Sequence, residues 1–136
     1  MKKLILAVLA LVCAATAFAQ KPSLDHSVYD NWKSVASLQV PYNGDWLLYN
    51  INPQEGDASL VIQNLRNNKT YTVPRASGAV VNADATKVVF RIAPFFQQTR
   101  QARIEKKRAD QIPKDTLAIL DLASGKIEKI PFLSDF

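Results

Sequence analysis

The sequence predicts an all-β chain built from two four-stranded antiparallel units, preceded by an export signal and a short helix. Three observations predict it. A turn followed by an apolar strand, Asn43-Gly44-Asp45-Trp46-Leu47-Leu48-Tyr49, returns 41 residues later as Asp84-Ala85-Thr86-Lys87-Val88-Val89-Phe90. A second set, Leu60, Ile62, Asn64, Leu65, Lys69, Val73 and Pro74, returns 57 residues later as Leu117, Ile119, Asp121, Leu122, Lys126, Ile130 and Pro131. Between matched stretches stand short turn sequences, which connect antiparallel neighbours. The unequal separations put about sixteen extra residues inside the second copy, and a repeat of this size indicates stacked supersecondary units.

The chain opens with Met1-Lys2-Lys3, an apolar run from Leu4 to Val12, and the small-residue close Ala17-Phe18-Ala19. This is the pattern of a secretory signal peptide over 1–19, with cleavage after Ala19 and a retained anchor as the alternative. Val12 is too bulky for Cys13 to serve as a lipid-attachment site. Cleavage removes Cys13, the sole cysteine, so the mature chain has no thiol nucleophile, disulfide or thiolate metal site. The expected compartment is the bacterial periplasm or the outside of the cell.

Residues 20–33 are expected as a helical arm. Leu24, Val28 and Trp32 share one face at a spacing of four, and Asp25 or Ser27 can cap the free amides. His26, the only histidine, has no Ser or Cys constellation beside it and reads as a surface or capping residue. The first unit occupies 34–74. Its strands are expected at Val35 to Val40, Trp46 to Ile51, Ser59 to Leu65 and Lys69 to Val73, with Pro74 closing it because proline cannot donate to a ladder. Trp46 to Ile51 carries apolar residues on both faces instead of alternating, which predicts a strand buried on both sides.

The second unit occupies 75–131, with strands at Gly78 to Val81, Lys87 to Ile92, Thr116 to Leu122 and Lys126 to Ile130, and Pro131 as its close. A basic insertion, 95–114, interrupts it, and 132–136 is expected to begin a third unit. Units of four antiparallel strands with a doubly buried second strand are what a β-propeller blade requires, so the fold expected is a partial propeller of about two blades. Propellers close with about four to eight blades, and open repeats leave sticky faces. The isolated mature chain is therefore expected to dimerise, aggregate or remain partly unfolded.

The formal net charge of +5 falls to +3 without Lys2 and Lys3, and the segment from Phe95 to Asp110 alone accounts for that remainder. Arg100, Arg103, Lys106, Lys107 and Arg108 thus form a candidate interaction segment, with Arg100, Arg103 and Lys107 on one helical face. The segment suits a neighbouring domain, a substrate carboxylate, an anionic surface, or solvent. Nucleic acid is not expected as a partner, since only Phe95 and Phe96 are placed to stack on bases. Asp110, Asp115 and Asp121 lack a calcium-loop spacing, no phosphate-cradling loop occurs, and no cofactor is expected. Asn68-Lys69-Thr70 matches a glycosylation sequon but reads as a hairpin turn.

Leu24 to Ser34, Asn43 to Tyr49 and Pro53-Gln54-Glu55-Gly56-Asp57 together resemble the start of secreted bacterial peptidases of the prolyl oligopeptidase family, dipeptidyl and acylaminoacyl peptidases among them. Thr99 to Ile104 and Pro113-Lys114-Asp115-Thr116-Leu117 are similar to the insertion in that family's second blade. The resemblance implies an N-terminal propeller followed by an α/β-hydrolase domain with a serine nucleophile on a Gly-x-Ser-x-Gly turn, an acid and a histidine. None of these carries over: no such turn occurs, and Glu55, Glu105 and Glu128 are too scattered for the paired glutamates that hold a substrate amine in some members. The expected function is a non-catalytic front portion of an exported serine peptidase, truncated or incompletely delimited as a gene. Its expected partners are further blades or the peptidase domain, with a peptide as substrate of the intact enzyme. The alternative is a self-standing periplasmic interaction module.

Overall fold

A computed structural model describes Tyr29 and residues 32–133. The expected signal peptide and most of the expected helical arm lie outside the described residues. Lys33, expected as the last residue of that arm, instead opens a strand.

The strands follow in order: β1 (Lys33–Gln39), β2 (Trp46–Pro53), β3 (Ser59–Asn64), β4 (Thr70–Pro74), β5 (Ala76–Val81), β6 (Lys87–Ile92), β7 (Asp115–Asp121) and β8 (Ile127–Leu133). One helix, α1 (Phe96–Ile104), lies between β6 and β7. The strands make two four-stranded antiparallel sheets, β1-β2-β3-β4 and β5-β6-β7-β8, each a simple up-and-down meander. None of the helices among the described residues is long and apolar enough to cross a membrane.

The repeat extends to the pairing register. Leu48 opposes Ile62 in the first sheet, and Val89 opposes Ile119 in the second. Leu60 opposes Val73, and Leu117 opposes Ile130. Ala36 opposes Asn50 and Ser77 opposes Arg91, each followed by a bulge on the first strand. A bulge inserts an extra residue into one strand, and in one form of bulge the backbone there bends into the left-handed region. Here those residues are Ser37, at φ +53°, and Gly78, at φ +62°.

The sheets pack face to face around one apolar cluster. Trp46, Leu48, Leu60, Ile62 and Val73 come from the first sheet, and Val88, Phe90, Ile92, Ala118 and Leu120 from the second. Phe90, Leu48, Leu60, Ile62, Leu120 and Val88 are completely enclosed, and burying each such side chain contributes about 1.5–3 kcal/mol. The only buried polar residue among those described, Asn50, donates from Nδ2 to the carbonyl of Ala76 at 2.7 Å. That bond satisfies the amide and ties the two sheets together.

β2 departs from the expectation of burial on both faces. Trp46, Leu48 and Asn50 are buried, whereas Leu47, Tyr49 and Ile51 are half-buried. Period-two geometry sends the second set to the face turned away from the other sheet, where no described sheet packs. A second correction concerns Pro131, which lies within β8 rather than closing it. It sits where the β7–β8 register shifts, on an edge strand, the setting in which a missing amide costs no ladder bond.

A single residue, Arg75, joins β4 to β5. Its backbone is left-handed, φ +62°. Its amide donates to the Ala58 carbonyl at 2.6 Å, and its own carbonyl accepts from Ala93 at 2.9 Å.

Candidate functional site at the insertion

Up-and-down connectivity brings the β2–β3 turn, the Arg75 link and the β6–β7 insertion to the same end of the sheets. Pro94 breaks the strand, and α1 begins at Phe96 with no acceptor of its own: its N-cap residue, Phe95, makes no side-chain cap bond. The acceptor comes from the other sheet. Asp57 Oδ1 takes the Phe96 amide at 2.8 Å, and a carboxylate at a helix N-terminus also meets the positive end of the helix dipole. One turn on, Arg100 Nη1 donates to Glu55 Oε1 at 2.9 Å. The helix closes with a Schellman pattern in which the amides of Lys106 and Lys107 reach the carbonyls of Arg103 and Ala102 at 3.0 and 2.9 Å. Lys106 takes the left-handed position there, φ +51°.

The five basic residues of the candidate segment thus meet different fates. Arg100 is committed to Glu55. Lys107 lies past the end of the helix, so it does not extend the face of Arg100 and Arg103; it pairs with Glu105 at 2.9 Å. Arg108 faces Asp110 at 3.5 Å. The hydrogen bond from Lys107, followed by that from Gln101, holds the Glu105 carboxyl below the usual range. Among the described residues, Arg103 and Lys106 have no ion-pair partner.

Beneath the helix lies a cleft of about 400 Å³. Its apolar lining comes from Ala93, Pro94, Phe96, Ile112 and Pro113, and its charged groups are Asp57, Arg75, Arg103 and Asp115. Three of the four are engaged. Asp57 caps the helix. Arg75 stacks on the Phe95 ring, with its guanidinium 3.8 Å from the ring centroid, and donates from Nη1 to the Ala93 carbonyl at 3.0 Å. Asp115 faces Arg91 at 3.9 Å.

Among the described residues, no three His, Cys, Asp or Glu side chains converge as a metal site would require. Glu55, Glu105 and Glu128 stay apart, on the β2–β3 turn, the end of the insertion helix and β8. The roles of Asp57 and Arg75 do not show in the sequence, since each acts on a residue at least eighteen positions away. The one available clue is negative: a helix start at Phe95-Phe96 has no capping side chain of its own.

Comparison with protein-family models found no match, nor did comparison with characterised proteins. Solved structures do match. Acylaminoacyl peptidase from Pyrococcus horikoshii superposes with a TM-score of 0.56 at 13% identity, over 82% of this chain and 16% of that one. An acylaminoacyl peptidase in complex with Z-Gly-Gly-Phe-chloromethyl ketone gives 0.58 at 15% identity, again over 82% and 16%. The β-propeller domain of the Trilobed protease from Pyrococcus furiosus, described as having an open velcro topology, gives 0.52 at 20% identity, over 73% and 28%. The chain therefore spans 16% to 28% of the length of these structures, and what it shares with them is the fold: two consecutive four-stranded blades of a β-propeller.

Proposed function

We propose that this chain is a non-catalytic propeller portion of an exported serine peptidase of the prolyl oligopeptidase family. In the intact enzyme the propeller restricts access to an α/β-hydrolase domain that hydrolyses peptide bonds. The observation that carries the proposal is the doubled blade, whose fold is matched over most of its length within acylaminoacyl peptidases. A second support is the outer face of the second sheet, where Val80 and Ile130 are 58% and 48% exposed around half-buried Val89, Leu117 and Ile119. Such a face suits coverage by a further blade. Export is supported by the basic start and apolar run of residues 1–19.

The test is the DNA downstream of the Phe136 codon, together with the protein it encodes. The expected result is an open frame with further blades and a Gly-x-Ser-x-Gly turn, whose product is labelled by a fluorophosphonate at that serine. A stop codon, with a short product that stays monodisperse and melts cooperatively, would overturn the proposal in favour of a self-standing interaction module.

A further inference from the structure

We propose that the cleft beneath the insertion helix binds the carboxylate end of a peptide whose last side chain is apolar, with Arg103 holding the carboxylate. The inference rests on the accounting of charge inside the cleft and holds whether or not the protein continues past Phe136. Two cations and two anions line it, but Asp57, Arg75 and Asp115 are already committed to the Phe96 amide, the Phe95 ring and Arg91. What the cleft offers a visitor is therefore one uncommitted guanidinium beside an apolar surface.

A guanidinium presents a planar fork of donors that fits a carboxylate in two parallel hydrogen bonds. Phosphate would satisfy the same fork, but its second negative charge would face Asp57 and Asp115. A monocarboxylate brings a single charge and so meets less repulsion from those two aspartates than a doubly charged phosphate. The apolar walls formed by Phe96, Ile112 and Pro113 then suit the side chain next to that carboxylate. About 400 Å³ is at the small end of ligand sites, enough for a terminal residue or two and too little for a long segment. The insertion supplies Arg103, Ile112 and Pro113, and the first blade supplies Gly56, Asp57 and Ala58, so the site exists only where the two blades meet.

Equilibrium dialysis of the full chain tests this whatever its oligomeric state. The probes are N-acetyl-leucine and N-acetyl-leucinamide, which differ only in the terminal charge. The acid is expected to bind at least tenfold more tightly than the amide. Arg103→Gln should bring the acid down to the level of the amide, while Arg108→Gln, on the same insertion but outside the cleft, should leave it unchanged. Equal binding of acid and amide, full retention of acid binding in Arg103→Gln, or equal displacement by inorganic phosphate would each overturn the assignment.

Discussion

The two blades bend their backbones into the left-handed region at the same three places and fill those places with different residues. At the bulge of the first strand stand Ser37 in the first blade and Gly78 in the second; at the next turn, Gly44 and Ala85; at the last hairpin, Asn68 and Gly125. All six have positive φ, between +49° and +77°. The conformation therefore belongs to the blade, and the glycine is optional. Where an L side chain occupies such a position, the blade carries about 1–2 kcal/mol of backbone strain that packing elsewhere must offset.

The sharpest break in this equivalence is expected at the last hairpin. Gly125 lies under the ring of Tyr71 from the other sheet, and a Cβ there would stand 2.8 Å from Tyr71 Cε1. That tyrosine cannot retreat freely, because its hydroxyl donates to the Leu122 carbonyl at 3.0 Å and its ring stacks on Trp46. Gly125→Ala should cost about 1–3 kcal/mol for overpacking in addition to the backbone strain, read as a lower urea midpoint of the full chain. Gly78→Ala has the same backbone strain but room for the methyl, the nearest atom being Arg91 Nε at 3.8 Å. Its loss should stay at about 1–2 kcal/mol, and a loss equal to that of Gly125→Ala would mean that the Tyr71 contact contributes nothing.

The reverse substitution, Ser37→Gly, should raise stability by less than about 1 kcal/mol, read as a slightly higher urea midpoint. Relief of strain is partly cancelled by the greater freedom glycine gives the unfolded chain.

The smallest effect depends on pH. Asn64 and Asp121 occupy equivalent positions and both accept backbone amides of their hairpin turns: Arg66 and Asn67 for the former, Ser124 for the latter. Only Asp121 is charged. The Ser124 amide, followed by its hydroxyl, holds this carboxyl below its ordinary value. A lowered folded-state pKa contributes stability that is present above the unfolded value of about 4 and is lost as pH falls through the folded value. Wild-type chain should therefore be slightly more stable than Asp121→Asn at neutral pH, with the difference vanishing in acid. A difference independent of pH would remove charge from the explanation.

The alternation of turns and apolar strands was legible because each turn and strand core is written in consecutive residues. The same separations of 41 and 57 then predict which residues oppose one another, as Leu48–Ile62 and Val89–Ile119 do. The faces of β2 were less legible. An apolar run states that burial is tolerated on both sides, but whether Tyr49 and Ile51 are covered depends on a neighbour that the run does not encode. The candidate site was legible only as a composition. Arg100, Arg103, Lys106, Lys107 and Arg108 look alike in sequence, and what separates them is the partner each finds: Glu55 from another sheet for Arg100, and none for Arg103 among the described residues. Such differences arise from contacts across 39 or 45 residues, beyond the reach of local pattern.

The cap that Asp57 places on the insertion helix also bears on how such repeats can be exchanged. A blade is often treated as a cassette, self-contained between its first and last strands. Here the second blade depends on its predecessor to complete its own helix, so moving it behind a different blade would carry the insertion without its anchor. Swapping in this chain is therefore expected to succeed by pairs, with the first and second blades transplanted as one piece.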